Sequence, residues 1–229
     1  MSITTTKLTR AAGLCAVAAG LLFAAVQFNH PHLDANFVTT IEWTVRQTMK
    51  VLMAVLALVG ITGMYLRQVK QTGVLGVIGY VLFSAGYLAM LSVEVIGTVV
   101  LPSIAHSAPG YVNDVLAVST SGQAVGDIGL MQPLLSFMGI GYLGGGLLFG
   151  IALFRANILA RWAAVLLAVG TLATIAIPML PRINERLFAL PTAVALVGLG
   201  ISLWREQRTV AGQSLPKVAS SPLDRAGAK

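Results

Sequence analysis

The sequence predicts an all-α protein, a single bundle of six transmembrane helices with both termini in the cytoplasm. Of its 229 residues, 56% are hydrophobic and only 10% are charged, whereas a soluble domain carries about 25% charged residues. So little charge cannot cover a water-facing surface. The chain also contains six apolar segments near the length of about 20 residues that a helix needs to cross a bilayer.

The predicted spans are 8–28, 46–66, 73–101, 130–154, 158–180 and 187–204. The first has Lys7 and Arg10 at its start and then an apolar stretch, but it offers no convincing cleavage site, so we expect an uncleaved helix rather than a signal peptide. The third is the longest, and it should tilt or protrude from the bilayer. Together these spans form one domain, residues 1–205, and a polar tail, 206–229, is predicted to be a disordered cytoplasmic segment.

The basic residues indicate how the bundle is oriented. Four of them fall outside: Arg46, Lys50, Arg182 and Arg186. The remaining eleven fall on the side of the termini: Lys7, Arg10, Arg67, Lys70, Arg155, Arg161, Arg205, Arg208, Lys217, Arg225 and Lys229. Because Lys and Arg favour the cytoplasmic side, the net charge of +7 indicates topology and contact with anionic lipid. We expect a multi-pass protein of a bacterial plasma membrane with the lipid bilayer as partner, and no nucleic-acid binding.

Two segments stand out beyond the spans. The largest outer loop, 102–129, contains a short predicted interfacial helix over Tyr111–Val118, with Tyr111, Val115 and Val118 on one side. Span 130–154 is rich in glycine, and two pairs have the small-xxx-small spacing that lets helices approach closely: Gly141 with Gly145, and Gly146 with Gly150. This spacing predicts packing inside the bundle, a homo-oligomer through span 130–154, or an unwound helix along a pathway.

Glu94 is the one charge in the apolar run 74–101. At helical spacing it belongs to a polar stripe that should face the bundle interior. The stripe comprises Tyr80, Ser84, Tyr87, Leu91, Glu94 and Thr98.

A short inner turn near Val69 places Glu94 level with the start of the second span, so we predict that Glu94 pairs with Arg46 or Lys50. Glu42, Arg46 and Lys50 recur at i, i+4 and i+8. The predicted cluster is therefore Glu94, Arg46, Lys50, Glu42, Tyr87 and Thr98. Three roles are open: an ion pair that joins two helices, a site for a small polar or anionic ligand, or a titrating carboxylate of a proton-coupled transporter.

Histidines suggest the one cofactor worth considering. In "NHPHLD", His30 and His32 lie beside Asp34, and His106 falls on the same outer side. Imidazole and carboxylate can hold a divalent metal on the outer face, although loop histidines also serve as interfacial polar residues. No other cofactor is expected, and no catalytic motif is present. Trp43, Trp162 and Trp204 lie at predicted helix ends, as in an aromatic belt.

The order of features resembles a loose group of small, uncharacterised six-helix membrane proteins of high-GC Gram-positive bacteria. The residues that carry the resemblance are His30–Pro31, "YLRQ" (65–68), Glu94 to Pro102, and "FGIALFRANILARWAAVLL" (149–167). It covers about residues 8–205 and implies a membrane protein without assigning catalytic residues.

The leading functional hypothesis is a membrane-embedded binding, sensing or accessory protein with an outer polar cluster around Glu94. The alternative is a small-solute or proton-coupled transporter or channel that uses Glu94. A metal-dependent intramembrane enzyme that uses the outer histidines is the third class.

Overall fold

The computed structural model describes residues 4–28, 31–120, 122–175 and 189–213, with side chains as far as Glu206. These residues form seven α-helices and one short 3₁₀ helix, without strands. The helices are α1 (Thr5–Gln27), α2 (Ile41–Arg67), α3 (Val69–Ile104), α4 (Pro109–Ser119), α5 (Met131–Ala156), α6 (Arg161–Ala173) and α7 (Leu190–Gln213), and the 3₁₀ helix is Phe37–Thr39. The predicted all-α class is confirmed.

Four of the described helices are long and apolar enough to cross a membrane: α1, α2, α3 and α5. Helix α6 is a shorter apolar helix of 13 residues. The predicted end of span five and the first residues of span six fall within 176–188, outside the described residues. The six-span count and the orientation therefore stay predictions.

Six helices form a closed ring in chain order. Each of α1, α2, α3, α5, α6 and α7 packs against its neighbours in this series, and α7 packs back against α1. Antiparallel neighbours follow from short connections: the chain turns from α2 into the long part of α3 within residues 68–73, where Gly73 has a positive φ of 57° and kinks α3 near its start. Residues 157–160 connect α5 to α6. Helix α4 is the exception, because it lies across one end of the bundle.

The glycines of α5 are used inside this ring. A Cβ atom at Gly145 would lie 2.3 Å from the backbone nitrogen of Phe83 on α3, and one at Gly141 would also meet the α3 backbone. On the side of α6, a Cβ at Gly146 would meet the Thr171 side chain, and one at Gly150 would meet the backbone of Ala164 and Ala168. Both small-xxx-small pairs thus bring α5 against helices of its own chain.

Two apolar clusters fill the structure. The larger one occupies the ring and includes the fully buried Phe83, Tyr87 and Phe149. The second lies under what we call the cap, namely residues 31–40 together with α4. Helix α4 is longer than predicted, and it buries Val112, Val115 and Leu116 rather than the predicted face of Tyr111, Val115 and Val118.

The opposite end of the bundle is strongly basic. The residues of this basic end are Lys7, Arg10, Arg67, Lys70, Arg155, Arg161 and Arg205. Here Arg67 forms a bidentate ion pair with Glu206, with its Nε 2.6 Å from Oε2. Helix α7 continues to Gln213 and so enters the segment 206–229 that the sequence assigns to the tail; residues 214–229 lie outside the described residues.

Candidate functional site

Glu94 lies in a small polar cluster between α2 and α3, beneath the cap. Its Oε2 accepts a hydrogen bond of 2.7 Å from Nε2 of Gln47 and lies 3.6 Å from Nζ of Lys50. Only 14% of the Glu94 side chain and 20% of the Lys50 side chain are exposed. The pair is therefore largely removed from water, where the attraction between unlike charges is stronger than at a protein surface.

Of the two cations predicted to pair with Glu94, the structure places Lys50 beside it and not Arg46. Arg46 instead donates to Glu42 at 2.9 Å and to the carbonyl oxygen of Phe28 at 3.3 Å. Successive helical residues are rotated by about 100°, so Arg46 points away from the direction that Gln47 takes. The antiparallel register sets which residues are level with Glu94, and the helical rotation then selects among them.

Gly97 and Trp43 complete the packing around Gln47. A Cβ atom at Gly97 would lie 2.4 Å from Gln47 Nε2, so the glycine leaves the space that this amide occupies. The Trp43 indole donates to the Gly97 carbonyl oxygen at 2.9 Å and is 3% exposed. Assigning Trp43 to an aromatic belt was therefore wrong, because its ring is buried between α2 and α3.

This cluster borders a cavity of about 170 Å³ that lies between the ring and the cap. Its polar lining consists of Gln27, Gln47, Lys50, Glu94, Ser119 and Thr120. Its apolar walls include Phe23, Trp43, Val115, Leu116 and four methionines, Met53, Met90, Met131 and Met138. A cavity of about 150 Å³ can hold a molecule the size of benzene, so there is room here for a small organic ligand or several water molecules.

Gln47, beside this cavity, has a buried side-chain carbonyl without a hydrogen-bond partner among the described residues. The residue is 3% exposed, and its Oε1 accepts no hydrogen bond from any described residue. Buried polar atoms in folded proteins nearly always have a partner, which can be water or a ligand. The close packing around Gln47 leaves its carbonyl oxygen without a donor among the described residues.

The two remaining residues of the predicted cluster play other parts. Tyr87 is fully buried in the ring, where its side chain packs edge-on against Phe83 with 5.1 Å between the ring centroids. Thr98 donates to the main-chain oxygen of Glu94 at 2.7 Å and so leaves the carboxylate untouched. Both lie on the predicted interior face of α3, but neither lines the cavity.

Helix α4 lines the cavity on the side of the cap. Two adjacent polar residues hold this helix in place. Asn113 accepts a hydrogen bond of 2.8 Å from the amide of Ala35, within the cap. Asp114 accepts bonds of 2.9 Å from the amides of Val125 and Gly126, in the loop before α5. These two backbone hydrogen bonds lower the pKa of the Asp114 carboxyl, because they stabilise its charged form.

We expect Asp114→Asn to loosen the loop around Val125 severalfold, measured as hydrogen-exchange protection of the Val125 and Gly126 amides at neutral pH. A carboxyl with a lowered folded-state pKa stabilises the fold above its unfolded value of about 3.9, and this contribution is lost as pH falls through the folded value. Protection in the wild type should therefore approach that of the variant in acid. Asp127→Asn is the control, since the one hydrogen bond that the Asp127 carboxylate accepts within the described part of the chain comes from the Gly129 amide, two residues on. Equal protection in all three proteins at neutral pH would contradict the role of Asp114.

His32 and His106 belong to no group of metal-binding side chains among the described residues. His32 and His106 are exposed, and His30 lies outside the described residues. The Asp34 carboxylate accepts hydrogen bonds from the amides of Asn36 and Phe37 at 3.0 and 2.7 Å, which caps the 3₁₀ helix. No group of three or more metal-binding His, Cys, Asp or Glu side chains occurs among the described residues, and a site that uses His30 stays a prediction.

Comparison of the chain with known protein families, curated proteins and solved structures finds no match. The resemblance to small membrane proteins of high-GC bacteria therefore stays a prediction.

Proposed function

We propose that this chain is a multi-pass protein of a bacterial plasma membrane, with six spans and with its basic end in the cytoplasm. Four helices long and apolar enough to cross a bilayer support the membrane location. The concentration of Lys and Arg at the end opposite the cap supports the orientation, because basic residues favour the cytoplasmic side. In this arrangement the Glu94 cavity lies in the outer half of the bundle.

Within that setting, the protein binds a small polar molecule in the cavity beneath α4. The observation that carries this proposal is the cavity itself, about 170 Å³ of mostly apolar space with Gln47, Lys50 and Glu94 on one wall. Ligand sites combine apolar walls with a few polar groups that fix orientation. A pair that served only to join α2 to α3 would not require the adjoining space.

The other functional classes have less support. A transporter or channel that uses Glu94 would need a path from the cavity to the basic end, and the intervening ring is filled by Phe83, Tyr87 and Phe149, all fully buried. An enzyme has less support because the two titratable groups of the cavity lining, Glu94 and Lys50, are paired with each other. A homo-oligomer through α5 would have to use exposed residues such as Phe137 and Ile140, since the paired glycines pack within the chain.

The binding function can be tested on the full chain in detergent or nanodiscs with four probes of similar size and different charge: propan-1-ol, propylamine, propionate and alanine. At least one is expected to bind at millimolar concentration and raise the melting temperature, because a ligand that binds only the folded state stabilises it. Gly97→Ala should abolish this response, because its new Cβ displaces the Gln47 amide from Glu94.

Gly110→Ala provides the matched control, since a Cβ there would meet nothing within 4 Å. This variant should respond to the probes as the wild type does. The proposal fails if none of the four probes stabilises the wild type, or if Gly97→Ala and Gly110→Ala respond alike.

A further inference from the structure

Glu94 and Lys50, which line the cavity, have hydrogen-bonding capacity that other side chains of the described residues do not satisfy. Glu94 receives both of its contacts on Oε2, so its Oε1 has no partner among the described residues. The Lys50 ammonium lies 3.6 Å from Glu94, beyond the range of about 2.7–3.2 Å for an N–H···O hydrogen bond. The wall therefore offers one acceptor oxygen, Oε1 of Glu94, and one cationic donor, the Lys50 ammonium.

The charges on this wall also sum to zero. The lysine and the glutamate cancel, and no other charged side chain lines the cavity among the described residues. A ligand with a net charge would leave water for a mostly apolar site without a free counter-ion, which is costly. A neutral molecule with separated charges avoids this cost, because each of its charged ends meets an opposite charge. Its dipole then lies beside the dipole of the Lys50–Glu94 pair and points in the opposite direction.

We infer that the cavity binds a small zwitterion of the α-amino-acid type, with its ammonium toward Glu94 and its carboxylate toward Lys50. This inference rests on the binding function proposed above. In an α-amino acid the ammonium nitrogen and the carboxylate oxygens are roughly 3 Å apart, as standard bond lengths require. That spacing is close to the 3.6 Å between Lys50 Nζ and Glu94 Oε2.

Cavity size and wall chemistry limit the side chain of the ligand. Alanine has about as many non-hydrogen atoms as benzene, which a cavity of about 150 Å³ accommodates. Methionine side chains adapt to ligands of different shape, so the four methionines of the wall leave room for short apolar side chains. Alanine and valine should fit, whereas tryptophan should not.

The first test measures affinities of alanine, propylamine and propionate for the wild-type protein by calorimetry or ligand-observed NMR. Alanine is expected to bind about tenfold or more tightly than either single-charge analogue, because each analogue lacks one charge-assisted contact. Valine should bind and tryptophan should not.

The second test uses two variants that leave one charge unpaired. Glu94→Gln retains the Lys50 cation, so propionate should become the preferred probe. Lys50→Met retains the Glu94 carboxylate, so propylamine should become preferred. A purely structural ion pair predicts no such exchange of preference.

The outcomes separate this inference from the binding function on which it rests. If propylamine, propionate or propan-1-ol binds the wild type as well as alanine does, the zwitterion assignment is wrong and the binding function stands. If no probe binds, both are wrong. If alanine is preferred but the two variants keep that preference, the assigned contacts are wrong.

Discussion

Gly145→Ala is expected to lower the free energy of unfolding by about 3 kcal/mol or more, or to prevent folding altogether. Its Cβ would lie 2.3 Å from the backbone nitrogen of Phe83 and 2.4 Å from its Cα. Backbone atoms cannot rotate away as a flexible side chain can, so α5 would have to separate from α3. Adding atoms to a packed core typically costs about 1–3 kcal/mol and occasionally more, and contact with backbone places this variant at the high end.

Gly139→Ala, six residues earlier on α5, is the matched control. A Cβ at position 139 would meet nothing within 4 Å, so only the better helix propensity of alanine remains, about 1 kcal/mol at most. Unfolding of both variants can be followed by circular dichroism in the same detergent. Equal melting temperatures would show that α3 and α5 are not in the close contact described.

Lys50→Met is expected to destabilise the protein by about 2–3 kcal/mol, because it leaves the Glu94 carboxylate without its cation. Breaking a buried ion pair costs about 3–5 kcal/mol, and the residual exposure of 14% for Glu94 reduces that cost. Glu94→Gln should cost less, because the amide can still accept the hydrogen bond from Gln47. The double variant Lys50→Met/Glu94→Gln should recover most of the loss, since no unpaired charge remains.

Glu42→Gln controls for the loss of a carboxylate at the surface. Glu42 is 53% exposed and pairs with Arg46 at i,i+4, a type of pair that contributes about 0.3–0.5 kcal/mol. The melting temperature of Glu42→Gln should therefore be close to that of the wild type. If the loss of unfolding free energy in Lys50→Met/Glu94→Gln equals the sum of the losses in the two single variants, Lys50 and Glu94 are not coupled.

The location of Glu94 near Lys50 could be predicted because helical geometry and chain connectivity determine it. The turn over residues 68–73 is short, so residues at equal distances along α2 and α3 lie at similar depth. Rotation about the helix axis is harder to predict. Residues 46, 47 and 50 all lie near the correct depth, and a shift of one position turns a side chain by about 100°.

Gln47 illustrates this limit. In the sequence it is a polar residue beside a more conspicuous arginine, and no motif draws attention to it. Only the close approach of α2 to Gly97 buries its amide and directs it to Glu94. Trp43 was misassigned for a similar reason: a tryptophan at a helix end suits a membrane interface, but here the cap covers that end.

The sequence by itself determined the all-α class, the apolar helices, the interior face of α3 and the neighbourhood of Glu94. Composition, apolar segment length and the period of 3.6 residues are local properties of the chain, and they suffice for those conclusions. Only the tertiary structure decided that Lys50 is the partner of Glu94, that the Gln47 carbonyl is buried without a hydrogen-bond donor among the described residues, and that Arg67 binds Glu206 on α7. These features depend on how helices distant in sequence rotate and pack against each other, which no local pattern specifies.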